Sequence, residues 1–443
     1  MKLLHYNMYQ KLKYTLAVCL LLTSIVANAQ VTVQSPYSKF GVGNIKGSLL
    51  PQYRAMGGIS TAVYKPGFFN SINIQNPASY AGINATTLDI GLSVNSTELK
   101  NSTQTENSFN ATLSHIALAF PVSKKSALSF GILPYSELGY NFKNTVKVGT
   151  TTANTKTVDY KYNGEGGLTK AYLGYGVQFG DHFRVGANAE YLFGNLSENR
   201  STEYVDDPGS INSRMQVKNS VGGVSFSYGA QYDFRLDNKT LLVLGYSGSS
   251  SSKINLKNSQ VVTQYFNDAT GSEQTALDTL LLVENSPTNL KLPLIHNFGI
   301  SIQRDNKWMV GADYRMGKWS NLSINNVNQG LQDTYGFSVG GQYTPDVTAI
   351  NGYFKRVDYR LGFQYDKTYI QMNQQDIKQM AVTFGVGLPL ASYSRGAFYR
   401  MNLSAELGKR GTVSNGLLQE KYLNIHLGFT LNDSSWFQRF RFD

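Results

Sequence analysis

Residues 422–431 read YLNIHLGFTL, with Leu423, Ile425, Leu427, Phe429 and Leu431 at every second position. Tyr422, Asn424, His426, Gly428 and Thr430 fall between them. Only an extended chain sends successive side chains to opposite faces, so this stretch is a β-strand with one apolar and one polar side. The alternation returns almost everywhere past residue 85. In SFSYGAQYDFR, Phe226, Tyr228, Ala230, Tyr232 and Phe234 share a face. In VDYRLGFQYD it is Val357, Tyr359, Leu361, Phe363 and Tyr365, and in YRMNLSAELG it is Tyr399, Met401, Leu403, Ala405 and Leu407.

Short polar turns (SKKS from 123, GDH from 180, DNK from 237, RDN from 304) alternate with longer polar loops. Counting strands between them gives fourteen over residues 86–432, and an even number places both ends of a closed sheet on one side. A soluble sandwich would also alternate, but its polar face usually carries Lys and Glu. Here that face is mostly Gly, Ser, Asn and Gln with charges of both signs, while the aromatics sit on the apolar side. The composition agrees: 42 Gly, 29 Tyr and 23 Phe with 16% charged residues suit strands and tight turns. A strand in lipid cannot leave its backbone groups unpaired, so the sheet must close on itself. The expected fold is an all-β, closed antiparallel transmembrane β-barrel. Its last strand, near 421–432, pairs with its first near Ile90.

The beginning of the chain sets the compartment. Lys11 and Lys13 precede an apolar run from Tyr14 to Val26, followed by Ala27-Asn28-Ala29. That layout predicts a cleavable secretory signal over 1–29. The single cysteine, Cys19, lies within it, which leaves no disulfide or thiolate chemistry for the mature chain. The formal charge of +11 includes Lys2, Lys11 and Lys13 of this leader. No Lys/Arg cluster accompanies the remainder, so nucleic acid is not an expected partner.

Residues 30–85 do not alternate. RAMGGISTAV (54–63) and INIQNPASYAGI (72–83) are rich in Gly, Pro, Asn and small residues. A fourteen-strand lumen is too wide for wall side chains alone to fill, so this segment is expected to plug it. Asp313, Arg315, Asp358, Arg360, Arg400 and Glu406 then face inward, paired with one another or with the plug. Within the third strand, Pro134 removes a ladder donor and implies a bulge or kink. Either the strand bends above the membrane, or the wall opens there.

A signal segment, the RAMGGISTAV stretch and the Asn76-Pro77-Ala78 motif ahead of fourteen strands resemble the FadL/TodX family of outer-membrane hydrophobic-compound channels. The detailed likeness is confined to residues 54–80, and the order of parts to nearly the whole chain. It implies an N-terminal hatch gated around Gly57, Gly58, Asn76, Pro77 and Ala78. It also implies a third strand, here with Gly131 and Pro134, whose kink opens the wall sideways. The expected function is passive uptake of hydrophobic small molecules or lipids, such as long-chain fatty acids, across a Gram-negative outer membrane. The tail at 433–443, LNDSSWFQRFRFD at its widest, resembles the periplasmic extension of Bacteroidetes-type members. Some relatives act instead as non-transporting barrel partners of another outer-membrane protein in a secretion or assembly complex, which is the alternative. Uptake requires apolar residues inside the barrel and an apolar pocket. In TALDTLLLVE (275–284), Leu277, Leu280 and Leu281 at helical spacing form either a capture surface or a loop helix packed on its neighbours. Phe68 and Phe69 either line an inner pocket or anchor the plug.

Enzyme chemistry finds no support. The histidines His5, His115, His182, His296 and His426 lie far apart without metal-ligand spacing. GFSVG (336–340) matches a nucleophile elbow in letters only, because Ser338 sits within an alternating strand. GVGNIKG (41–47) lacks the third glycine of a dinucleotide fingerprint. No metal or cofactor is implied. A general porin needs no long N-terminal segment.

Overall fold

The computed structural model describes residues 35–149, 155–207, 209–268, 273–274, 276–391 and 396–434. The expected signal segment and all but the start of the tail lie outside these residues. Fourteen antiparallel strands form the wall. They are β1 (Thr86–Lys100), β2 (Thr105–Ser123), β3 (Ser126–Val148), β4 (Lys156–Phe179), β5 (Phe183–Tyr204) and β6 (Asn212–Arg235). Next come β7 in two pieces (Thr240–Ser249, Lys253–Tyr265) and β8 in two pieces (Asp278–Lys291, Ile295–Arg304). The rest are β9 (Trp308–Gly317), β10 (Thr334–Tyr343), β11 (Asp358–Met372), β12 (Gln375–Leu390), β13 (Ala397–Gly411) and β14 (Gln419–Asp433).

Strand β14 closes the wall against β1 without a slip, with Phe429 opposite Ile90. Along β14 the residues from Leu423 to Phe429 alternate between exposed apolar and covered polar or glycine positions. Leu423 to Leu431 is about nine residues, the length a tilted strand needs to cross a bilayer. The apolar face is therefore the membrane face. The short turns and both ends of the barrel share the lower rim, which by the rule for bacterial barrels is periplasmic. At the upper rim β11 and β12 meet in a two-residue turn, Asn373 and Gln374 both having positive φ (49° and 60°). That geometry matches the twist of a tight hairpin.

The upper extension corrects one expectation. The described residues of TALDTLLLVE, 276–284, form no helix: those from Asp278 lie in β8, whose upper piece pairs with β7. Leu277, Leu280 and Leu281 are all exposed there. Leucine spacing fits either a helix or a strand, and cross-strand hydrogen bonding to Val261 and Val262 decides it.

The N-terminal segment lies inside the cylinder. Gly57 approaches β10 and β11, Thr61 approaches β7 and β8, and Pro77 approaches β4 and β5. One stretch of chain can touch these opposite walls only from within. At Gly362 a Cβ would sit 2.1 Å from the Gly57 nitrogen. At Gly186 it would sit 2.4 Å from the Pro77 oxygen. The wall is glycine at these points because the plug's backbone lies directly against it.

Polar groups fasten this lower plug. Asp313 accepts from the Ser60 and Thr61 amides at 2.8 and 2.9 Å. Gln231 donates to the Thr61 and Val63 carbonyls at 3.0 and 3.2 Å. Thr383 Oγ1 accepts from the Gly57 amide at 2.7 Å. Asp358 pairs with both Arg360 and Arg400, all three buried. The upper half of the lumen is different. Leu138, Leu168, Leu192, Leu256, Leu290 and Ile370 point inward and pack with Tyr37 and Val42 of the N-terminal segment into a buried apolar cluster.

Candidate functional site

The wall is not zipped along its whole height. The β2–β3 ladder runs from Ser123 opposite Ser126 up to Ile116 opposite Ile132, and ends. Above that level β2 stays paired with β1 as far as Thr105, and β3 stays paired with β4 as far as Val148. The two strands therefore part just below Pro134. The β3–β4 register slips between Pro134 and Ser136, the bulge that a missing ladder donor demands. Gly131, opposite Ala117, sits on the last rungs before the parting; a Cβ there would lie 2.4 Å from the Ile116 oxygen. Beyond the bulge β3 turns inward and buries Leu138 and Tyr140 in the upper cluster. Both readings of Pro134 start from this break: the β2–β3 ladder ends two residues before it.

The freed edge of β3 does not stay bare. Asn44 and Ile45 of the N-terminal segment pair with Glu137 and Ser136. The Lys46 amide donates to the Tyr135 carbonyl at 3.0 Å and the Ser35 amide to that of Gly139 at 3.1 Å. Lys46 Nζ also reaches Glu137 at 2.7 Å.

Behind the parting lies a chamber of about 480 Å³ between the lower plug and the upper cluster. Ser108, Asn110, Thr112 and Ser114 line it from β2, Leu133, Pro134 and Glu137 from β3, and Asn424 and His426 from β14. Most of the residues that line it are polar or charged, while apolar atoms supply the larger share of its surface. A bulge at Ser114, where the register skips between Gly91 and Leu92, turns both Ser114 and His115 to this chamber. Ser114 Oγ lies 3.1 Å from His115 Nδ1, and His115 Nε2 lies 2.8 Å from Asp89 Oδ1. The other Asp89 oxygen accepts from Thr430 at 2.8 Å. Both ring nitrogens of His426 and the Asn110 amide nitrogen are buried without a hydrogen-bond partner among the described residues. Polar groups in that condition are what ordered water satisfies.

The residues expected to gate the plug stand in its lower half. Asn76 caps the short 3-10 helix Pro77–Gly82, its side chain accepting from the Ala78 amide at 3.1 Å. Its side-chain nitrogen donates to the Thr61 carbonyl at 2.6 Å, which staples two parts of the plug together. Gly57 and Gly58 have positive φ (69° and 82°) and turn the chain after the short helix Pro51–Arg54. The candidate ligand contacts are not gathered. Phe68 and Phe69 stack edge-on with Phe398 at the lower rim, and Arg400 lies 3.7 Å over the Phe69 ring. The leucines of the 277–281 stretch stand at the opposite rim. Neither group touches the chamber. The inward leucines of the upper cluster were not expected. A change of phase in the alternation marks them, since Leu192 and Leu196 fall on the side that is polar lower down β5.

Among the described residues no group of three or more His, Cys, Asp or Glu is arranged to hold a metal ion. The family model for BamG matches residues 8–443. The chain belongs to the BamG family. No curated protein matches it. Several solved barrels share the fold of this BamG-family chain at low identity. The toluene transporter TodX of Pseudomonas putida is 15% identical with a TM-score of 0.54, over 89% of this chain and 100% of that one. The CymD monoaromatic hydrocarbon channel is 13% identical with a TM-score of 0.53, over 89% and 98%. A Pseudomonas aeruginosa FadL homologue is 12% identical with a TM-score of 0.55, over 88% and 99%. The likeness to FadL/TodX proteins is therefore one of fold. These neighbours are named as channels or transporters.

Proposed function

We propose that this BamG-family barrel acts as a non-transporting partner of another outer-membrane protein in a secretion or assembly complex. The observation that carries this reading is a lumen filled above and below a chamber lined by many polar residues. Below, the plug is tied by charged and amide hydrogen bonds to strands all around the wall. Above, the inward leucines are packed shut around Tyr37 and Val42. A hydrophobic molecule in the chamber would bury groups such as Asn110 and His426 without hydrogen bonds, a cost of about 1–3 kcal/mol for each. The test is affinity purification of the full chain from outer membranes in mild detergent. A second outer-membrane protein in fixed stoichiometry, with unchanged growth on fatty acids or aromatic hydrocarbons when the gene is deleted, is the expected result. A solitary barrel whose deletion abolishes uptake would end it.

A second reading, passive uptake with hatch movement and sideways exit, is favoured by two observations. The β2–β3 ladder ends just below Pro134, and the upper lumen is apolar where a barrel is ordinarily polar. Bound detergent or lipid within the upper cluster of the purified protein, together with an uptake defect on deletion, would support it.

A further inference from the structure

The parting of β2 from β3 leaves two strand edges, and only one is covered. The β3 edge takes Asn44, Ile45, Lys46 and Ser35. The β2 edge from Thr105 to His115 has β1 on its far side. On the near side no backbone partner is found among the described residues. In an antiparallel ladder every second residue turns its N–H and C=O to one side, so a row of donors and acceptors faces the gap. Part of that row is at membrane depth. Phe109 pairs with Ser96, and Ser96 with Leu423, the top of the apolar band on β14. Phe109, Ala111 and Leu113 are exposed outward at this height. Hydrocarbon offers such a row nothing to bond, and lipid-facing open edges are otherwise absent from membrane proteins.

We propose that the β2 edge over residues 107–114 is a docking site for one transmembrane β-strand of a partner outer-membrane protein. This rests on the partner reading above and names its surface. Four features point to a strand. The edge is held straight by an unbroken ladder to β1 from Thr105 to Leu113. Its sequence, Asn107-Ser108-Phe109-Asn110-Ala111-Thr112-Leu113-Ser114, has no proline and no charge, the devices by which exposed edges are normally kept from pairing. Its two faces already differ, with Phe109, Ala111 and Leu113 toward lipid and Ser108, Asn110, Thr112 and Ser114 toward the chamber. The guest is therefore apolar outside and polar inside, as a membrane strand is and an acyl chain is not. Because β3 is bent away and capped, the guest pairs with β2 alone.

Direction excludes the same edge of a second copy, because in one membrane two copies present β2 running the same way and the two edges cannot pair antiparallel. Antiparallel pairing with β2, which descends, calls for a strand that ascends from the periplasmic side and stands at an open seam of a different barrel, since a closed barrel pairs both edges of every strand.

The experiment places a photo-crosslinking amino acid in the full chain, in cells, at Ser108, Phe109, Asn110, Ala111, Thr112 and Leu113 in turn. The expected result is adducts to one segment of one outer-membrane protein, with the attachment point moving two residues toward its N-terminus for each two-residue step along β2. Adducts to lipid alone, or to scattered segments, overturn the proposal. A partner that co-purifies but crosslinks only elsewhere overturns the edge and leaves the partner reading standing; no partner at all sinks both. Because a substituted strand can misfold, heat-modifiable gel mobility reports folding of each variant. Hydrogen exchange of the unaltered protein adds an independent readout. The amides of 107–114 that face the gap, every second one, exchange at least tenfold faster in the isolated barrel than in the complex, and equal rates count against docking.

Discussion

The two halves of the lumen solve the same problem with different chemistry. Below, a backbone segment is laid against glycines and tied by charges whose partners are fixed, such as Asp313 with Ser60 and Thr61. Above, leucines and isoleucines from many strands close around two side chains of the same segment. The lower half depends on which atom stands where. The upper half depends mainly on how much apolar volume is supplied, since cores tolerate exchange of similar hydrophobic side chains. The contrast also shows where movement would be hardest: opening the lower plug breaks directional bonds one by one.

The largest effect separating the halves is expected from Asp358→Ala. Arg360 and Arg400 would remain buried beside each other without their shared carboxylate. Losing one partner of a buried ionic group costs about 3–5 kcal/mol, and Asp358→Asn should rescue little. Urea unfolding in lipid vesicles measures both. Next is Leu192→Ala in the upper cluster, at about 3 kcal/mol for a buried leucine truncated to a methyl. Leu192→Ile should cost under about 1.5 kcal/mol. An upper half as intolerant of isoleucine as the lower half is of asparagine would erase the contrast. The smallest is Gly362→Ala, a single methyl against the Gly57 nitrogen. It is expected to cost about 1–3 kcal/mol and to speed tryptic cleavage at Arg54 while the barrel keeps its heat-modifiable mobility.

Much of the wall was legible because period-two alternation is a local signal, repeated at each strand. Pro134 was legible as a break for the same reason: its effect on the ladder is a property of the residue itself. The choice between a bend and an opening was not, because it depends on whether β2 follows β3. The helix expected around Leu280 failed where leucine spacing allowed two conformations and a distant strand decided. The glycine positions that receive the plug could not be read as such. Gly362 and Gly57 lie three hundred residues apart in the chain, and their contact exists only once the cylinder is closed. Asn76-Pro77-Ala78 was findable as a cap on its own residues, though its hold on Thr61 was not.

The unbroken seam between β1 and β14 has a consequence for how the molecule comes to be. The stopper belongs to the first part of the chain to be made, and the last stave to the final part. A cask hooped shut beforehand would have to be stoppered through its lower mouth, with every fastening of the stopper made afterwards in a confined space. Staves wrapped around a stopper already seated would meet those fastenings one at a time, with residues near Gly57 and Asn76 as the form on which the cask is built.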